Sequence, residues 1–337
     1  MASLAEAPVG PAIAARPDLA IIVVSTNEAR WLEPCLGSVL DAARGASLDV
    51  VVVDNESSDG TAELVRSRFP SVRIVESANH GFSHANNRGA ATCDARYVLF
   101  LNPDTEIVSG SFSELVAAMD ARPDVGLIGV RQLTGDGTLW PTIRYFPTFS
   151  RAVGEALGSE RWPLRGRWAG ERELDLDLYE REVPCDWTSG SFMLARREAL
   201  LSSGLLDERF FIYCEETDLC LRIKEAGWEV RHLPSMTIVH HAGKGGVRPK
   251  MVAQDAYARR QYAQKHFVRP LRAAYLGAVL TRHLARALTP GGGAEGRARR
   301  DAARAAIRIL LGRGRPPFGS PPDTAVAPLG RNPAGRG

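Results

Sequence analysis

Neither familiar glycine-rich phosphate loop is present: no GxGxxG follows the first apolar run, and GxxxxGK[ST] occurs nowhere. These absences argue against a dinucleotide dehydrogenase and a P-loop NTPase. Any phosphate must then be held by a metal or by scattered donors. Long hydrophobic runs are also missing, and nothing approaches the roughly 18 uncharged apolar residues that a spanning helix needs. Cysteine is scarce. Cys35, Cys93, Cys185, Cys214 and Cys220 form no CxxC pair and no disulfide ladder, which points to a reducing, cytoplasmic setting. An excess of one charge is absent too: 42 basic residues nearly balance 39 acidic ones, so no nucleic-acid partner is implied. The opening MASLAEAPVGPAIAARPD has neither a basic start nor a continuous apolar core, so residues 1–17 are expected to be a disordered leader and not a signal peptide.

What the chain does contain is a regular alternation of short apolar strands with amphipathic helices. LAIIVV ends at Ser25-Thr26-Asn27, DVVVV ends at Asp54-Asn55, VRIV precedes the loop SANHGFSHANNRGAA, and YVLFL ends at Asn102-Pro103-Asp104. Ser58-Asp59 offer helix caps after the second run. The pattern predicts an α/β fold with a mostly parallel central sheet and flanking helices. In such folds ligands bind beyond the carboxyl ends of the strands, where these polar triplets fall. Residues from about 134 to 184, rich in Arg, Trp, Gly and Pro, read as a long excursion that faces substrate. CDWTSGSFMLARREAL then reads as strand and helix, EETDLCLRIKEAG as a helix closed by Gly227, and WEVRHL with MTIV as two short strands. From Asp255 helical patterns dominate, Gly291-Gly292-Gly293 breaks them, and the Pro/Gly-rich end should be disordered.

Four features carry chemistry. Asp54 can accept the N3–H of a pyrimidine or a ribose hydroxyl, or it can cap the turn that follows it. Asp104 leaves the sheet edge behind a proline that fixes the backbone; it suits a hard divalent cation or a simple turn. Glu215, Glu216 and Asp218 open a helix whose dipole favours negative charge, and Asp218 also stands at i, i+4 from Arg222. That accounts structurally for Asp218. It explains Glu215-Glu216 less well, because a carboxylate held ionised there is also a proton acceptor. One of His240 and His241, at a strand end, can complete a metal site begun by Asp104, or both can be buried structural histidines.

Taken in order, VVSTNEARWLEPCLGSV, VVVVDNESSDGT, NHGFSHANNRGA, VLFLNPDTEI, DWTSGSFMLARREAL, LDERFFIYCEETDLCLRIKEAGW and IVHHAGKGG resemble the inverting family-2 glycosyltransferases of GT-A fold. The likeness is to the branch that includes bacterial rhamnosyltransferases. It implies that Ser25, Thr26 and Glu28 lie near the nucleotide, that Asp54 holds the base, and that Asn79, Gly81 and Asn87 contact the donor. Asp104 matches the last acid of the family's DxD metal motif, with Asn102 in place of the first, so Mg²⁺ or Mn²⁺ would rest on Asp104 and His240. Glu216 matches the catalytic base, with Glu215 as second candidate. Trp187, Ser189 and Gly190 match the acceptor-side turn. The resemblance implies a dTDP- or UDP-sugar donor, dTDP-L-rhamnose first, and a glycan, lipid-linked or natural-product acceptor.

Two other functions share these features. One is a catalytically silent sugar-nucleotide-binding scaffold in a polysaccharide assembly complex. The other is a nucleotidyltransferase, which would need a basic glycine-rich loop where STNEARW stands. The expected organisation is a GT-A domain over 18–246, a C-terminal helical extension over 247–312 and a disordered tail over 313–337. The arginine-rich segment from Arg297 to Leu311 is a candidate for peripheral contact with the inner face of an anionic plasma membrane, or a solvated helix packed on its own domain.

Overall fold

The computed structural model describes residues 16–159, 162, 166–241, 248–289 and 292–319. The logic of the fold is set by its first strand. In β1 (Leu19–Ser25) every residue is buried, because successive side chains alternate between two covered faces. Leu19, Ile21 and Val23 join one core with α1 (Ala29–Asp41) and α4 (Phe112–Asp120). Ala20, Ile22 and Val24 join another with α3 (Phe82–Ala91), α6 (Arg197–Ser203) and α7 (Glu215–Glu225).

The parallel half of the sheet is β2 (Leu48–Asn55), β3 (Arg73–Ser77) and β4 (Tyr97–Leu101) around β1. The remainder is β5 (Thr105–Ser109), β6 (Val125–Thr134), β7 (Val183–Pro184), β8 (Phe192–Arg196) and β9 (Glu229–His240). The order is β3-β2-β1-β4-β8-β6-β9-β5, with β7 on β9 and β8 antiparallel to both its neighbours. Because β2 and β4 flank β1 on opposite sides, strand order reverses there and opens a crevice at the carboxyl ends. Register puts Ser25 opposite Asp54 and Asp54 opposite Glu76.

Sequence and structure differ at three places. WEVRHL and MTIV are one strand, β9, not two: pairing to β6 jumps from Val130↔Leu233 to Arg131↔Thr237. Pro234, which has no N–H for the ladder, lies in the skipped bulge. The excursion contains a capped helix, α5 (Phe149–Ala156), with Thr148 Oγ1 accepting from Arg151 N at 3.2 Å. Its apolar side packs on the C-terminal helices and not on the sheet, so it shows no period matched to a strand neighbour. Of the expected tail, residues 313–319 are placed, with Phe318 stacked on Phe211 at 4.7 Å between ring centroids, and residues 320–337 lie outside the described residues. AGKGG and residues 1–15 lie outside the described residues.

The C-terminal extension comprises α8 (Pro249–His266), α9 (Arg269–Leu288) and α10 (Gly293–Leu310). In α10, Ala302, Ala303, Ala306 and Ile309 are buried, and Ala306 and Ile309 pack on α8. Its apolar face is therefore occupied by its own domain, while Arg297, Arg299, Arg304 and Arg308 are exposed. Among the described residues no helix is long and apolar enough to cross a membrane.

Candidate active site

The loops after β1 and β2 are tied to each other. Asn27 stands at φ 56°, accepts from Ser58 N at 2.8 Å and donates its own N–H to Ser57 Oγ at 3.0 Å. Asp59 accepts from Ala29 N at 2.9 Å and from Thr61 Oγ1 at 2.6 Å. It thus serves the first turns of α1 and of α2 (Thr61–Arg68) together. Asp54 is 7% exposed. Its Oδ1 takes the Ser57 N–H at 3.0 Å, which is the turn-capping function, and its Oδ2 has no protein partner among the described residues. Ser25 Oγ is buried at the same rim without a partner.

The third loop is locked by Asn79, whose Oδ1 accepts from Asn55 Nδ2 at 3.0 Å and Gly81 N at 3.2 Å. Gly81 adopts φ +101°, and a Cβ there would lie 2.5 Å from Phe211 O. The neighbouring Phe82 N–H donates to that same carbonyl at 2.7 Å, so α3 begins welded to the stretch that leads into the acidic pair. Gly81→Ala should consequently lower the melting temperature by several degrees or more and weaken donor binding. Gly227→Ala, also at positive φ but with open space around it, should cost only about 1 kcal/mol. Equal, small effects in thermal melts would show that this close approach is unimportant. Asn87 sits on the inner side of α3 and donates its amide to Leu206 O and to Glu208, both at 2.8 Å. Its bonding is to scaffold, and only its buried Oδ1 lacks a partner.

Asp104 and His240, 136 positions apart in sequence, are brought together by the β5–β9 ladder. His240 pairs with Thr105, which places His240 Nε2 3.3 Å from Asp104 Oδ1. Asn102 Nδ2 lies 3.4 Å from the same nitrogen. The adjacent His241 goes elsewhere, stacked on Trp31 at 4.7 Å and bonded to Glu106 at 2.8 Å. Of the two histidines, one faces the rim and one is structural. Glu28 is close enough that burial first and the Asp104 charge second raise its pKa. Among the described residues no three His, Cys, Asp or Glu side chains cluster as a closed metal site.

The acidic pair is presented by a strained turn. Tyr213 and Cys214 take φ 73° and 65° in succession, a conformation rare outside glycine and common at functional sites. It is held from two sides. Ser83 Oγ donates to Phe210 O at 2.7 Å, and Gln254 of α8 donates to Ile212 O at 3.2 Å. Phe210 packs on Ala258 and Tyr262. Glu215 is 4% exposed and Glu216 is more accessible, yet each has one buried carboxylate oxygen without a partner. Burial raises Glu215 well above the carboxylate range, with Glu216 adding to it. Burial also pushes Glu216 up to about 7, while Arg144 and Arg259 act in the opposite direction.

Gly190 closes the rim above this pair: a Cβ there would meet Glu216 at 3.8 Å and Glu215 Oε1 at 3.9 Å. Ser189 Oγ lies 2.9 Å from Ser191 Oγ, and Ser191 O accepts from Asn102 N at 3.0 Å, which links this turn to the end of β4. Trp187 is only 8% exposed and donates its indole N–H to Tyr145 O at 2.9 Å. What it offers the crevice is chiefly the guanidinium of Arg144, 5.4 Å above its ring. Arg144 Nε is buried without a partner, and burial followed by Arg172 lowers its pKa to about 10. Sequence reasoning missed Arg144, Gln254 and Arg259. Arg259, which pairs with Glu171 at 2.7 Å and Asp255 at 3.2 Å, carried one visible signal, its i, i+4 spacing from Asp255.

Asp218 is different in kind. It is fully buried and bonded to Arg222 at 2.8 Å, Lys265 at 2.6 Å and His266 at 2.7 Å. Its role is the structural one that its spacing suggested.

The architecture is that of the GT-A glycosyltransferases. A mannosyltransferase of Pyrobaculum calidifontis, solved with GDP-Man and Mn²⁺, superposes with a TM-score of 0.52 at 18% identity, over 88% of this chain and 87% of that one. GalNAc-T7, solved with UDP, GalNAc and Mn²⁺, gives 0.55 at 13% identity over 79% and 55%. The chain belongs to glycosyl transferase family 2, whose model matches residues 20–200. The N-acetylglucosaminyl-diphospho-decaprenol L-rhamnosyltransferase of Mycobacterium tuberculosis is 33% identical over 235 residues, 66% of this chain and 76% of that protein. Rhamnosyltransferase WbbL of Escherichia coli K12 is 24% identical over 231 residues, 66% and 83% respectively. The chain is accordingly a sugar-transferring enzyme with rhamnosyltransferase relatives.

Proposed function

We propose that the enzyme transfers L-rhamnose from dTDP-L-rhamnose to a hydroxyl of a lipid-linked glycan acceptor, in one displacement that inverts the anomeric centre. The observation that carries this reading is the pair Glu215-Glu216 on its strained turn, one carboxylate oxygen of each unpartnered, beside the Gly190 rim. The more accessible Glu216 is the base. It takes the proton of the acceptor hydroxyl as that oxygen bonds to the anomeric carbon, and the bond from that carbon to the diphosphate oxygen breaks with its electron pair leaving on the nucleoside diphosphate. Glu215, buried and protonated, keeps the pair from carrying two charges. Asp54 Oδ2 accepts the N3–H of the pyrimidine, with Ser25, Thr26, Glu28 and the Asn79–Gly81 loop around the nucleotide.

Asp104 and His240 suit a divalent cation that keeps most of its positions for water and substrate phosphate, as Mg²⁺ and Mn²⁺ do. One carboxylate and one imidazole would not close a structural site, which agrees with a cation that enters with the donor. Such an ion supplies charge neutralisation to the leaving diphosphate. The mycobacterial relative acts on a diphospho-decaprenol-linked sugar, which supports the acceptor class.

The test is a thermal-shift screen of dTDP-rhamnose against UDP- and GDP-sugars with Mn²⁺ present, followed by nucleotide release. dTDP-rhamnose should give the largest shift and Asp104→Asn should abolish its Mn²⁺-dependent part. A larger shift with another UDP- or dTDP-sugar would reassign the donor. Binding without turnover on any acceptor or water would favour the scaffold.

A further inference from the structure

Arg144 stands beside the acidic pair with no counter-ion bonded to it. Its backbone N–H donates to Trp187 O at 3.1 Å, and isolated antiparallel bridges pair it with Trp187 on one side and Arg172 on the other. Residues opposed in this way project from the same face, so three segments separated in sequence set two guanidinium groups and an indole side by side. Each arginine lies over a tryptophan, Arg144 over Trp187 at 5.4 Å and Arg172 over Trp140 at 5.9 Å. Stacking fixes a guanidinium plane and leaves its N–H edge to bond in that plane. At Arg144 this edge is open: Nε is buried without a partner, and among the described residues the side chain donates no hydrogen bond and joins no ion pair. The acids that flank Arg172 in sequence are engaged elsewhere, Glu171 by Arg259 at 2.7 Å and Glu173 by the Tyr145 hydroxyl and Arg167. A largely desolvated cation with a second cation beside it is costly until an anion arrives.

We propose that Arg144, with Arg172 beside it, binds the diphosphate of the acceptor while Glu216 addresses a hydroxyl of the sugar that the diphosphate carries. The proposal rests on the lipid-linked acceptor inferred above and names the part of it that the enzyme reads. Planar guanidinium groups match phosphate oxygens through paired N–H bonds. In such an acceptor the hydroxyls that can attack belong to the ring that bears the phosphate, so an anion site has to adjoin the base. Arg144 does adjoin it, since its charge acts on Glu216 and that of Glu216 on Arg144. The donor diphosphate is assigned to Asp104 and His240. Asp104 exerts its charge on Glu28, whereas the carboxylates felt at Arg144 are Glu171 and Glu216, which keeps the two phosphate sites apart.

The test is titration calorimetry of the full-length protein with farnesyl diphosphate, after the donor site has been filled with Mn²⁺ and the nucleoside diphosphate that the donor screen selects. Wild-type protein should bind this probe, and farnesol, which lacks the anion, should bind roughly tenfold more weakly or worse. Arg144→Gln should weaken farnesyl diphosphate roughly tenfold or more. Arg144→Lys should weaken it less, because the charge stays and only the planar edge is lost. Arg172→Gln, which leaves Arg144 stacked on Trp187, should also weaken it, by a smaller factor than Arg144→Gln. The donor-induced thermal shift should be the same in all of these proteins. Unchanged affinity in Arg144→Gln would overturn the proposal. So would a farnesyl diphosphate signal that vanishes once nucleotide is bound, or a donor shift lost in parallel, since either would give Arg144 to the donor. Turnover confined to phosphate-free glycosides would overturn the acceptor reading and the proposal together, whereas the other failures would overturn the proposal alone. A wrong donor sugar would appear in the donor screen and leave the Arg144 dependence of diphosphate binding untouched.

Discussion

Glu216→Gln should lower turnover by about 10³-fold, within the range that a general base supplies, and leave donor affinity nearly intact. The amide keeps the shape of the side chain but cannot take the acceptor's proton, so the loss belongs to kcat. Since burial pushes the Glu216 pKa up to about 7, wild-type turnover should rise through neutral pH and level off above it as the carboxylate ionises. The same shift has a consequence for stability. Between the unfolded pKa of about 4.5 and the folded value near 7, the folded protein binds more protons than the unfolded one. Ionising Glu216 therefore removes stability as pH rises through that window. The Gln variant, neutral throughout, should melt higher than wild type at pH about 8 and close to it at pH about 5. Parallel losses of donor affinity and turnover, or a lower melting temperature at both pH values, would recast Glu216 as a binding or packing residue.

The parts of the site that were legible in the sequence are those at the ends of continuous strands. LAIIVV, DVVVV and YVLFL leave no ambiguity about where the backbone stops being sheet, and parallel register then puts Ser25 beside Asp54. Asp104 and His240 could be matched because each directly adjoins a strand. Residues on irregular backbone gave no such handle. Arg144 lies in PTIRYFP, where no period distinguishes a residue that faces the site from one that faces solvent, and Glu171 is 88 positions from its partner Arg259. The left-handed pair Tyr213-Cys214 was hidden because neither residue type favours that conformation; only the clamp from α3 and α8 makes it tenable. For the same reason the extension looked like an appendage, although α8 supports the turn that aims the acidic pair.

Asp218→Ala tests that support and should be the most destabilising single change near the site. Burial alone would raise the pKa of Asp218, but His266, Arg222 and Lys265 outweigh it and hold the carboxyl down to about 2. A folded pKa below the unfolded value of about 3.8 means roughly 2–3 kcal/mol of stability present above pH about 4 and lost as pH falls toward 2. Removing the carboxylate outright leaves three cationic or hydrogen-bonding groups around a void, and breaking a buried pair in this way costs about 3–5 kcal/mol. Asp218→Asn keeps the volume and one acceptor, so it should lose less at pH about 7 and show a flatter acid limb in urea melts followed between pH about 2 and 5. An acid limb that is unchanged in the Asn variant would mean that this carboxylate does not link the two helices. Because Lys265 and His266 come from α8 and Arg222 from α7, the ions that stabilise Asp218 also fix the first turn of the helix that carries Glu216. A chain cut before α8 would lose Gln254, Lys265 and His266 together, and with them both the hold on the strained turn and the charge balance beneath it. The structure that holds the acidic pair in place therefore extends past the residues 20–200 that the family model spans.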